Sequence, residues 1–177
     1  MQDPAIIASV RRELFADRDE KVYAALDGAS IGNLLDTLSR LGQDSLCLFR
    51  GELDPRLEAV APHLVWLDAD APFTDFVLSG WGRHWGIFAL ADAEPDVVHR
   101  HFRKHQMVEL PDGNPYLFRY YDPRVLREYL ATCPADAARP MFGPVVEYVA
   151  EGKNPGELIR YTFADGSLGI RTLPLTE

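Results

Sequence analysis

Cys47, Asp68 and His84 are the groups from which a catalytic centre would have to be built: a thiol, a carboxylate and an imidazole. Brought together, they would suit a small hydrolase or a nucleotide-processing enzyme. The local patterns argue against it. Cys47 lies in the apolar run Ser45–Phe49, where burial raises a thiol pKa and leaves it inert. Asp68 and Asp70 are two residues apart, a spacing common on ordinary surfaces, and no G-x-S-x-G elbow occurs. The glycines at 80, 82 and 86 space as G-x-G-x-x-x-G, one residue too long for a dinucleotide loop, and they lead into a strand rather than a helix. They read as a tight turn beside Trp81 and Trp85. Arg83 and His84 in that turn leave one other reading open, a regulatory module binding a small anion. His101 and His105 stand at i, i+4, a metal-compatible spacing, but Arg100, Arg103 and Lys104 between and beside them repel a cation. The segment reads as a solvated basic face. No catalytic residue, metal site or cofactor is expected.

The elements that would position these groups are clearer. Asp3-Pro4 starts a helix with a stripe of Ile6, Ile7, Val10 and Leu14. Lys21–Leu26 is a strand, Ser30 caps a helix over 31–41 stopped by Gly42, and Ser45–Phe49 returns as a second, parallel strand. A short helix over 55–61, a strand at 63–67, a helix through 72–78, a strand at 87–90 and a helix over 96–105 with Val97, Val98 and Phe102 inward come next. Pro111–Asn114 reads as the turn of a hairpin. Tyr116–Tyr121 then reads as the central strand of the sheet, apolar on both faces. Arg119 within it needs a buried partner, from Asp27, Asp68 or Asp122, and a structural role is assigned to it. Asp122 caps a helix over 123–130 with Pro123 at its first position. A helix over 135–142 ends at Gly143-Pro144, and 151–156 reads as a linker. Beyond it Asp165-Gly166 marks a hairpin. The fold expected is α/β: one domain with a mixed sheet flanked by helices, plus a short C-terminal hairpin. The divisions are 1–19, an N-terminal helix; 20–150, the α/β domain; and 151–177, linker and hairpin.

Composition narrows the partners. Eighteen basic residues against 27 acidic give a net charge of −9, the wrong sign for a general nucleic-acid binder. The window 97–127 reverses this locally, with six Lys/Arg and three Asp/Glu, a net of +3. Two lone cysteines, no signal-peptide pattern and no apolar run of ~20 residues suggest a reducing, cytoplasmic setting without membrane contact.

Several blocks occur in a recognisable order: YAALDGA at 23–29, LCLFRGEL at 46–53, APHLVWLD at 61–68, GWGRHWGIF at 80–88, MVELPDGNPYLFRYYDPRVLREYL at 107–130 and MFGPV at 141–145. Over about 20–147 the chain resembles the type VI secretion adaptors, or effector chaperones, catalogued as domain of unknown function 4123. The resemblance implies a bacterial, non-enzymatic protein that binds a cognate effector and helps load it onto a VgrG-type spike protein. On that reading the partner-binding residues are sought at Trp81, Arg83, His84 and Trp85, and at Arg100, Arg103 and Lys104.

Overall fold

The computed structural model describes residues 3–109 and 113–175. Seven strands form one sheet: β1 (Lys21–Asp27), β2 (Leu46–Cys47), β3 (Pro62–Leu67), β4 (Gly86–Ala91), and then β7 (Val145–Glu151), β8 (Glu157–Ala164) and β9 (Ser167–Pro174), in the order β2-β3-β1-β4-β7-β8-β9. Among the described residues, the short strands β5 (Met107–Glu109) and β6 (Pro115–Leu117) pair only with each other. The helices are α1 (Pro4–Phe15), α2 (Gly28–Ile31), α3 (Leu34–Leu41), α4 (Pro55–Val60), α5 (Pro72–Ser79), α6 (Pro95–Lys104), α7 (Pro123–Thr132) and α8 (Ala135–Phe142).

The sheet has a buried core on each face, which is why β1 and β4 read as continuous apolar runs. On one face Tyr23, Ala25, Leu64 and Ile87 meet Val98 and Phe102 of α6, Leu126 and Leu130 of α7, and Met141 and Phe142 of α8. On the other, Val22, Ala24, Leu26 and Val65 meet Val10 and Leu14 of α1, Leu34 and Leu38 of α3, and Phe73 and Val77 of α5. Val97, expected inward on α6, is exposed, because the buried stripe of that helix runs through Val98, His101 and Phe102.

The fold is α/β with helices flanking the sheet and a C-terminal hairpin. Within it, β1 and β2 run in the same direction but are not neighbours. β3 inserts between them, antiparallel to both, and every adjacent pair described is antiparallel. The expected single helix over 31–41 is two, broken at Gly32 (φ +53°), with Asp27 rather than Ser30 as the first cap. Of the stretch 151–156, Glu151 ends β7 and 152–156 is the turn joining it to β8, and Asp165-Gly166 makes the β8–β9 turn with positive φ at both positions. β8 and β9 thus continue the main sheet.

The largest departure concerns Tyr116–Tyr121. Only Pro115–Leu117 is strand, in a two-stranded ribbon outside the main sheet. The expected turn includes 110–112, outside the described residues. Tyr120 and Tyr121 are buried as loop residues beneath α6 and α7, where the Tyr120 hydroxyl donates to the Phe102 carbonyl at 2.7 Å. The sheet's centre is instead β1 and β4.

Candidate functional site

The turn between α5 and β4 is built around one carboxylate. Gly82 adopts φ +83° and His84 φ +58°, which aims both backbone N–H groups at Glu151 of β7. Gly82 donates to its Oε1 at 2.8 Å and His84 to its Oε2 at 3.1 Å, and the His84 Nδ1 lies 2.8 Å from the same Oε2. Burial pushes the Glu151 pKa up, against the pull of these donors. Gly80 is required because a Cβ there would fall 2.0 Å from the Trp85 ring. Trp81, expected as a binding residue, is a core residue, 2% exposed, with its indole N–H donating to the Pro155 carbonyl at 2.8 Å. What remains accessible is Arg83, stacked 5.7 Å above half-buried Trp85, and half-buried His84. An anion arriving at Arg83 and His84 would meet the Glu151 carboxylate as well.

On α6, Arg100 and Lys104 are exposed and Arg103 is half-buried. The three histidines do not share that solvated face. The His99 ring meets the Cys47 carbonyl at 2.7 Å and the His101 ring meets the Met141 carbonyl at 2.7 Å. His105 packs edge-on to His101 with centroids 4.7 Å apart. Burial lowers the pKa of both His101 and His105, the latter to about 4. They are wedges between α6 and α8 rather than surface cations. Among the described residues no group of three or more His, Cys, Asp or Glu side chains is disposed to hold a metal ion.

Arg119 finds its partner in Asp27, at 2.5 Å. The carboxylate is 1% exposed and also accepts from Ala29 N and Ser30 Oγ, so one buried acid ties the end of β1 to α2 and to the segment before α7. The guanidinium itself is 42% exposed, because residue 119 lies in a loop. Asp122 caps α7 through Arg124 N at 2.9 Å and takes two further bonds from the Arg124 guanidinium, which lower its pKa against the effect of burial.

The three candidate catalytic groups lie apart. Cys47 pairs with His63 at the sheet's edge, and burial raises its thiol pKa. Asp68 accepts from Asp70 N at 3.1 Å to shape the turn before α5, and His84 is held by Glu151. No described cavity is lined by two of the three.

The most unusual surface is one that the apolar pattern of 116–121 disguised as core. In the β5–β6 ribbon, Met107 opposes Leu117 and Val108 opposes Tyr116. Met107 is 55% exposed and Leu117 44%, and Val108 and Tyr116 are exposed too. Successive side chains on a strand point to opposite faces, so the ribbon is apolar on both. Its base is closed by Phe118 N donating to the Gln106 carbonyl at 2.7 Å. The available signal was its flank: the turn-forming run Pro111-Asp112-Gly113-Asn114 stands directly before it, as in the second strand of a local hairpin.

No helix among the described residues is long and apolar enough to cross a membrane. No curated protein and no solved structure gave a match to the chain. A family model does match, over residues 22–139, 118 of the 177. That span takes in the Glu151-seeking turn, α6, the ribbon, Arg119 and Asp122, and by it the chain belongs to the family described as Domain of unknown function (DUF4123).

Proposed function

We propose that this protein is a non-enzymatic adaptor that binds a type VI secretion effector in the cytoplasm and assists its loading onto a VgrG-type spike protein. The observation that carries this reading is the β5–β6 ribbon, which presents Met107, Val108 and Leu117 to solvent within the family-matched segment. A two-stranded ribbon with apolar residues on both faces gains little by itself, but it is well suited to seat in a partner's groove. Arg100 and Lys104, exposed on the helix that leads into it, add charge for steering and orientation.

Co-purification with any effector and spike proteins found encoded beside this chain tests the proposal. The parent chain captures the effector with or without the spike. A Met107→Ser/Leu117→Ser variant captures at least about tenfold less, the scale of a lost apolar anchor pair, while its circular dichroism and melting stay those of the parent. Failure of the parent to hold any adjacent effector overturns the adaptor reading. Parent-like capture by both this variant and an Arg100/Arg103/Lys104→Glu triple variant overturns the choice of surface.

A further inference from the structure

At the opposite end of α6 from the ribbon, a cavity of about 480 Å³ opens between β3, the segment 42–46 and the first turn of that helix. Tyr23 and Leu64, both buried, floor it. Trp66 forms a wall, and Asp44, Asp68 and Asp96, all exposed, surround the mouth. The volume and the mixture of an apolar floor with a few polar groups are those of a ligand site.

Two features select the ligand. Trp66 lies on the same face of β3 as Leu64 and opposite Tyr23, yet it is 51% exposed while both of those are buried. Its indole is an uncovered stacking surface at the cavity's edge. No lysine, arginine or histidine lines the cavity, and among the described residues no cation pairs with Asp44, Asp68 or Asp96. An anion would meet three carboxylates. A purely apolar group would strip water from them without replacing their hydrogen bonds. A planar cation does both jobs, stacking on the indole and donating in the plane of its fork to carboxylates, and guanidinium does so better than ammonium. The positive end of the α6 dipole opposes a cation here, and Asp96 in the first turn offsets it.

We infer that this cavity receives an arginine side chain of a partner polypeptide. It would be a second contact, distinct from the ribbon: α6 has ten residues, so its ends lie about 15 Å apart. The two sites can therefore fail independently.

The test is titration of the intact chain with the capped peptide acetyl-Gly-Arg-Gly-amide, followed by the indole N–H resonance of Trp66. Saturable movement is expected with a Kd in the millimolar range, about what one stacked, partly solvated cation supports. The lysine counterpart binds more weakly and the glutamine counterpart leaves the resonance in place. Asp44→Asn/Asp96→Asn weakens the arginine response at least about fivefold while the melting temperature stays within a few degrees of the parent's, the scale of one lost helix-terminus charge, and raising salt from about 0.05 to about 0.5 M weakens it in the parent. Asp68 is left intact because it shapes the turn before α5. Equal responses to arginine and glutamine peptides overturn the inference, as does an arginine response indifferent to salt. Tighter binding of spermidine than of the arginine peptide overturns the assignment to a polypeptide side chain. Because only peptide and chain are present, these outcomes leave the effector-capture result to be judged separately.

Discussion

The turn at 80–86 and the ribbon of β5 and β6 exchange the roles that their sequences advertise. Glycines, an arginine and a histidine give the turn the character of a solvent loop, yet it holds a buried tryptophan and closes on a buried carboxylate. Alternating apolar residues give the ribbon the character of core, yet it projects into solvent. The difference lies in what each backbone can reach. Positive φ at Gly82 and His84 turns two N–H groups inward, where Glu151 of β7 awaits them. The ribbon's strands pair with each other, and among the described residues neither pairs with a strand of the main sheet. Apolar content therefore reports burial only when an element has somewhere to dock.

The comparison breaks most visibly if Trp81 is not core. Trp81→Ala should cost about 3–5 kcal/mol by cavity formation and the loss of its bond to Pro155. Urea unfolding would show a much lower midpoint, and a change under about 1 kcal/mol would return the turn to the surface. An intermediate effect is expected from acid. His101, buried, and His105, half-buried, lie against α8 just before the ribbon and hold folded pKa values below the ordinary 6.5, so the unfolded chain takes up protons first as pH falls. Their contribution is complete above about pH 6.5 and is lost as pH drops towards 4. Glu151, shifted upward, works in the opposite sense over its own titration. Melting temperature should therefore fall by several degrees between pH 7 and pH 5, and His105→Gln should flatten that slope. An unchanged slope in the variant would remove His105 from the account. The smallest effect belongs to the ribbon. Met107→Ser/Leu117→Ser should alter stability by no more than about 0.5 kcal/mol, as for other exposed positions. A loss of several kcal/mol would show that the ribbon packs after all.

The parts of the fold that were legible are those with local chemistry strong enough to override context. Asp-Pro at 3–4, 54–55 and 122–123 starts three helices, and in each the aspartate accepts the backbone N–H two residues on. Asp165-Gly166 makes its hairpin for similar reasons. Asp27 was among the partners that Arg119 required. β7 was not legible, because Gly143-Pro144 reads as a break and Glu147 and Glu151 interrupt its apolar run. Their compensation comes from far along the chain: Arg160 and Arg18 pair with Glu147, and the 80–86 turn pairs with Glu151. β1 and β2 do run parallel, but they are not neighbours, since β3 enters between them from a later stretch of sequence. The arginine cavity and the ribbon are products of such long-range placement, and neither has a motif.

The strand order has a practical consequence for anyone cutting this chain. The family match stops at residue 139, inside α8, but β4 at the sheet's centre takes its outer partner, β7, from beyond that point. A fragment trimmed to the matched span would leave Phe88, Ala89 and Leu90 as an open, apolar border with unpaired amides, inviting edge-to-edge polymerisation. The span that the family model matches and the span that completes the pairing of β4 are therefore not the same length.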